Sequence, residues 1–201
     1  NAARTSQAME TAGISRLHIE DQVNPKRCGH LDGKEVVGLD IAVRRIRAAV
    51  EGRRDPNFLI MARTDVRAVE GLEAAKNRAK TLVDAGADAI FPEAMRTLEE
   101  FEAIRAAVDV PVLENMTEFG KSELFTTSQL QSVGINMVIW PVSLLRIAMG
   151  AAERALDTLI EDGALTKQLG NMQHRAELYE LISYEDYAGF DSNIYTFNVE
   201  R

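Results

Sequence analysis

The sequence predicts an α/β protein whose parallel strands are joined by crossover helices, and three observations carry that expectation. Short apolar runs alternate with longer stretches of helical spacing. A helical stretch ends in glycine just before three of the runs, in "TAGISRLHIE", "DAGADAIFPE" and "SVGINMVIWP"; glycine there supplies the left-handed residue that stops a helix. Polar side chains of chemical use also stand where the runs stop: Glu20 and Asp21, Arg63, Glu93 and Asn115.

Taken in order, "NAARTSQAME" at residues 1–10 has the character of a helix interior, so the chain is expected to begin inside a domain. The first strand is "SRLHIED" (15–21), followed by the helical "IAVRRIRAAVEG". "NFLIMART" (57–64) is the second strand and "GLEAAKNRAKTLVDAG" the helix after it. "DAIFPE" (88–93) leads into "TLEEFEAIRAAV", with Thr97 as N-cap, and "VPVLEN" (110–115) into "TTSQLQSVG", with Thr127 as N-cap. "INMVIWP" (135–141) is the last strand. The first and third strand segments nearly copy one another, with Glu20 and Glu93 at the same place, as a repeated βα unit would.

From about Ala148 the pattern turns to helix after helix, in "AAERALDTLIEDG" and "TKQLGNMQHRAELYELISYEDYAGF". Tyr179, Tyr184, Tyr187 and Phe190 concentrate there and call for a covering surface, either the strand-bearing part or another subunit. The organisation expected is a strand–helix body over 1–147 and a helical extension over 148–201.

With 201 residues, 46% of them hydrophobic, the chain can bury one sizeable core. A net charge of -8 without a Lys/Arg tract argues against a nucleic-acid surface. No apolar run approaches the roughly 20 residues of a membrane span, and a single cysteine makes no intrachain disulfide. A soluble protein of a reducing compartment is expected.

That cysteine lies in "HIEDQVNPKRCGH" (18–30). Lys26, Arg27 and His30 around Cys28 favour the thiolate, which makes it a proton donor and acceptor near working pH; a cysteine filling the core is the bland alternative. Gly29 lets the backbone turn tightly. Arg63 offers a planar fork for a carboxylate or, equally, a strand-end ion pair with Glu20 or Glu93. His18 shares the strand face of Glu20, because side chains alternate with period two; it either supports the site or is a satisfied interior histidine. Lys26 either closes over a ligand or only biases the thiol. Asn115 can donate and accept at once. His174, in the helical tail, is read as structural. In a parallel barrel all these strand ends would open on one mouth, but five strands fall short of the eight in a barrel of about 250 residues. Either the sheet is open or an opening portion of three strands is absent.

"HIEDQ", "KRCGH", "GKE", "MARTD", "FPEA", "NMTEFG" and "LFTT" together resemble the isocitrate lyase and phosphoenolpyruvate mutase superfamily, from Asn1 through the tail. Within it the likeness is greatest to the branch that splits 2-methylisocitrate into pyruvate and succinate. The resemblance implies a (β/α)8 TIM barrel of which this chain carries strands 4 to 8 and the C-terminal helices. It implies a carbon–carbon lyase of propionate catabolism, the methylcitrate cycle, using Mg2+ with Mn2+ as an alternative. The enzyme would be a homotetramer that exchanges a helix between subunits, in the cytoplasm, or the mitochondrial matrix of a eukaryote.

By the same resemblance Cys28 protonates an enediolate, with Lys26 and His30 beside it. Cys28, Gly29, His30, Arg63, Glu93, Asn115, Thr117 and Arg146 bind the substrate, a small tricarboxylate. Glu20 reaches the metal through water, while the family's metal-holding aspartates do not occur here. Trp140 stands where the branch is expected to carry tyrosine, and Lys121 and Glu123 accompany the "NMTEFG" motif; these bear on the substrate more than the chemistry. Isocitrate, 2,3-dimethylmalate or oxaloacetate as substrate, a phosphoenolpyruvate or phosphonopyruvate mutase, and a non-catalytic barrel fragment stay open as alternatives.

Overall fold

The computed structural model describes residues 1–194; the end of the expected helical extension, 195–201, lies outside them. The chain forms two compact units, Asn1–Leu144 and Leu145–Arg201.

The first unit opens with α1 (Ala2–Thr11), followed by β1 (Arg16–Glu20), α2 (Leu39–Gly52), β2 (Leu59–Thr64) and the short α3 (Arg67–Glu70). After these come α4 (Leu72–Asp84), β3 (Ala89–Pro92), α5 (Leu98–Ala107), β4 (Leu113–Asn115), α6 (Thr127–Ser132) and β5 (Met137–Ile139). β1 pairs with β2 and β2 with β3, all parallel, and β4 pairs in parallel with β5. A parallel bridge between Ile90 and Val112 links the two sets. The glycines expected to stop helices do so: Gly13, Gly86 and Gly134 each have positive φ, at 80°, 103° and 84°.

Parallel strands buried on both faces separate two apolar layers by their period of two. Ile60, Ala62, Ile90, Val112 and Met116 join the helices' Ile46, Leu82, Phe101 and Leu130 in the larger core, while Met61, Ala89, Phe91 and Leu113 form a second one on the opposite face. α2 buries Ala42, Ile46 and Ala49, and α4 buries Ala75, Ala79 and Leu82, the three- and four-residue spacing that puts one stripe on the sheet. The many alanines bring helix and sheet close, so Phe101, fully buried, supplies much of the volume. Its truncation to alanine would cost about 3–5 kcal/mol.

Thr97 caps α5, its side chain accepting the Glu100 N–H. At α6 the cap is Thr126, not the expected Thr127, because Gln129 stands three residues beyond Thr126 and closes a capping box with it. A threonine pair offers two candidates, and the position of the glutamine decides between them.

Asp21, 2% exposed, ties the strand ends together. Its Oδ2 accepts from Thr64 Oγ1 at 2.6 Å and Arg78 Nη1 at 3.0 Å, and its Oδ1 from the Asp65 N–H at 2.9 Å. One carboxylate thus joins β1, β2 and α4.

In the second unit lie most of α7 (Ser143–Asp162), a 3-10 turn at Thr166–Asn171, α8 (Arg175–Leu181) and α9 (Tyr184–Ile194). Tyr179 and Tyr184 stack with ring centroids 4.5 Å apart, and Tyr187 and Phe190 are exposed. His174 is structural: its Nδ1 accepts the Ala176 N–H at 3.2 Å at the start of α8.

Candidate active site

The C-terminal ends of β1 to β4 deliver Glu20, Arg63, Glu93 and Asn115, and the segment between β1 and α2 folds over them. An antiparallel bridge between Gln22 and Val36 closes that segment at its base. Gln22 then grips its far side, accepting the Arg27 N–H at 2.9 Å and donating to the Arg27 carbonyl at 3.0 Å. Cys28 follows, exposed to solvent. At Gly29 the backbone lies against Glu93 so closely that a Cβ would overlap the carboxylate's side chain.

Arg63 is the centre of charge. Its Nε lies 3.1 Å from both Glu20 Oε1 and Asp65 Oδ2, and its Nη2 3.2 Å from Glu93 Oε2. The guanidinium also stacks 4.7 Å from the Phe91 ring centroid. Burial pulls its pKa down, but Glu93, Asp65 and Glu20 outweigh burial and leave it raised. The ion pairs anticipated with Glu20 and Glu93 both form, and Asp65 adds a third. Glu93 Oε2 and Asp65 Oδ1 have cations within 4 Å yet no hydrogen bond of good angle; those two contacts are Coulombic rather than directional.

Glu93, 1% exposed, takes three partners in all. His30 Nε2 lies 3.0 Å from its Oε1, and Asn115 Nδ2 donates to that oxygen at 3.3 Å. His30 Nδ1 accepts the Lys121 N–H at 3.0 Å, so the proton of the neutral ring belongs on Nε2, aimed at Glu93. Gly120 passes beneath the ring, where a Cβ would come 2.9 Å from His30 Cε1. Thr117 Oγ1 donates to Asn115 Oδ1 at 2.6 Å, so Asn115 donates and accepts as expected.

Lys26 Nζ pairs with Glu20 Oε2 at 2.9 Å. Burial raises the Glu20 pKa; Lys26 and Arg63 pull it down, Asp65 pushes it up again, and the net is a rise. His18 meets the edge of Phe91 at 5.8 Å, on the face of the inner core as its alternation with Glu20 required. Burial, then Arg63 and Lys26, lower its pKa, with Glu93 opposing, so the neutral ring is favoured. Arg146 lies on α7, in the second unit.

Eight expected site residues of the first unit therefore converge, Glu20, Lys26, Gly29, His30, Arg63, Glu93, Asn115 and Thr117, with the exposed Cys28 next in the chain to Gly29. Three participants had no assigned role: Gln22, Lys34 and Asp65. Each lies in a motif already singled out, "HIEDQ", "GKE" and "MARTD", but nothing in a sequence tells a buried lysine from a solvated one. Among the described residues no group of three His, Cys, Asp or Glu is arranged to hold a metal ion. Asp65 and Glu93 are paired with cations, and so is Glu20, which meets Lys26 and Arg63. The residues present do not form a metal centre by themselves.

Parallel strands carrying a buried carboxylate, guanidinium and imidazole cluster at their C-terminal ends define an α/β protein with its polar groups gathered at that edge, where ligands of such sheets bind. The chain belongs to the phosphoenolpyruvate phosphomutase family, whose model matches residues 1–160. It is 56% identical over 200 residues to "Probable 2-methylisocitrate lyase 2" of Corynebacterium glutamicum, covering 100% of this chain and 65% of that protein. It is 50% identical over 184 residues to the 2-methylisocitrate lyase of Salmonella typhimurium, covering 92% of this chain and 62% of that protein. Among solved structures, oxaloacetate acetylhydrolase in complex with the inhibitor 3,3-difluorooxalacetate matches with a TM-score of 0.86 at 32% identity, over 98% of this chain and 67% of that one. The chain thus spans 65% of the length of the Corynebacterium relative.

Proposed function

We propose that the protein carrying this chain is a carbon–carbon lyase that splits 2-methylisocitrate into pyruvate and succinate. The observation that carries the reading is the meeting of Arg63, His30 and Asn115 on the buried Glu93, directly under the Cys28–Gly29 backbone. The similarity to 2-methylisocitrate lyases supports the choice of substrate.

In this reading Cys28 delivers a proton to the carbanion carbon, from an exposed loop position open to a ligand. Arg63 and Asn115 hold carboxylate and hydroxyl oxygens, with Thr117 fixing the Asn115 amide. His30, held at both nitrogens, presents a fixed ring next to the acid. Lys26, paired with Glu20, closes the cluster on the loop side. Glu20, Asp65 and Glu93 balance Arg63, Lys26 and Lys34 in formal charge, so a polyanionic ligand needs positive charge from elsewhere. Mg2+, with Mn2+ as the alternative, would supply it as a Lewis acid that stabilises an enediolate, and Glu20 is the residue that would touch its hydration shell.

The architecture proposed is strands 4 to 8 of a (β/α)8 barrel with a helical extension. The assembly proposed is a homotetramer with helix exchange, supported by Ile147 and Ile160 of α7, which are 67% and 82% exposed. No helix of the described residues is long and apolar enough to cross a membrane; the location proposed is the cytoplasm. Pyruvate formation by the full-length protein from 2-methylisocitrate tests the reading, with glyoxylate from isocitrate and pyruvate from 2,3-dimethylmalate measured beside it; no pyruvate from 2-methylisocitrate would refute it. Oxalate from oxaloacetate would favour instead the reaction class suggested by the likeness to oxaloacetate acetylhydrolase.

A further inference from the structure

We infer that Lys34 is a positioning residue: it pins the Gly29 carbonyl to the end of β2 and so sets where the Cys28 loop stands over the cluster. The lysine side chain is 2% exposed. Burying an ammonium and ordering its long stem are both costly, and its contacts show what that cost secures. Nζ donates to the Gly29 carbonyl and lies 3.4 Å from Asp65 Oδ1.

Each end of that link is firmly held. Asp65, 0% exposed, receives Arg63 Nε at 3.1 Å on its carboxylate and gives its own N–H to Asp21 at 2.9 Å. On the returning arm, the Val23 N–H bonds the Glu35 carbonyl at 2.9 Å, which fixes the backbone next to Lys34. On the outgoing arm Gly29 is pressed on Glu93, with Cys28 and His30 to either side. Gln22 fixes the loop at Arg27 and the Lys121 N–H fixes it at His30. Lys34 holds the stretch between, at Gly29, next to the exposed Cys28.

The inference rests on the lyase reading only for its catalytic meaning; the loop's attachment is measured without it. Hydrogen exchange of this chain compares peptides covering residues 28–33 with those covering β2. In Lys34→Met, exchange over 28–33 is expected to rise about tenfold or more, the factor one charge-assisted hydrogen bond supplies, while β2 is unchanged. No rise overturns the inference. If β2 also loosens, because Asp65 is left short of a cation, the Lys34→Met/Asp65→Asn double variant decides. Fast exchange confined to the loop supports positioning, and a loop restored with β2 means Lys34 only neutralises Asp65. In the full-length enzyme kcat should fall about tenfold with KM within about threefold. An unchanged kcat with a fast loop overturns the inference, whereas an inactive wild type strikes the lyase reading and leaves the exchange result standing.

Discussion

His30 Nε2 and Glu93 Oε1 meet at 3.0 Å with both side chains buried, while the ring's Nδ1 receives the Lys121 N–H. A nitrogen that accepts cannot carry the proton, so the neutral ring is the Nε2–H tautomer. Nitrogen-15 NMR of labelled histidine, at a pH where the ring is neutral, should show His30 Nδ1 bare and Nε2 protonated. The opposite tautomer would mean that the Gly120–Lys121 backbone does not lie beneath the ring.

Replacing Cys28 by serine keeps the size of an exposed side chain and leaves no core void. The melting temperature should hold while turnover falls roughly 10²- to 10⁴-fold, the range supplied by a positioned general acid. A variant as fast as the parent would remove the thiol from the mechanism.

Gly29→Ala places a methyl group in the space of the Glu93 side chain. Overpacking of this kind costs about 1–3 kcal/mol, and either the loop or the carboxylate must move. Urea unfolding should show the loss, and the His30 ring signals should shift with it.

Arg63→Met removes the shared partner of Glu20, Asp65 and Glu93. Leaving buried carboxylates uncompensated costs about 3–5 kcal/mol, read as a lower denaturation midpoint. Arg63→Lys should recover only part of it, because an ammonium is a single point where the guanidinium is a fork.

Glu114 in β4, on the strand face of Val112 and Met116, is 0% exposed, and neither carboxylate oxygen has a hydrogen-bond partner. Burial, with the charge of Glu93, drives its pKa well above 4.5. The folded state therefore keeps a proton that the unfolded chain gives up, and stability falls as pH rises from the unfolded pKa toward the folded one. The slope from this residue approaches about 1.4 kcal/mol per pH unit. Glu114→Gln should flatten it, matching the parent near pH 5 and exceeding it at pH 8 in thermal melts; parallel slopes would show that Glu114 is ionised when folded.

Much of this architecture could be read from spacing. The strand segments, the glycines at 13, 86 and 134, and the Thr97 cap are local signals, set by period and by backbone conformation. Glu20 and Glu93 show where local signals stop. They are equivalent in sequence, seven residues after their glycines, yet Arg63 is in register with Glu20 on one side and with Phe91 on the other. Glu93 thus stands two residues farther along than Glu20, because neighbouring strands are staggered, and stagger is a property of pairing. Lys34 and Asp65 were hidden for a related reason: their roles depend on which chain segments fold back on one another, and a lysine in a glycine-rich loop otherwise reads as solvated. Glu114 carried no signal, since a carboxylate amid apolar strand residues breaks the pattern that would locate it.

The exposed Cys28 also governs how the molecule would age. Residues 1–201 hold one cysteine, so a peroxide that takes it to the sulfenic acid meets no second thiol within this stretch. A sulfenic acid formed there is either capped reversibly by a small thiol such as glutathione or runs on to the irreversible sulfinic acid, and a preparation kept in air without reductant should gain oxygen at this sulfur atom.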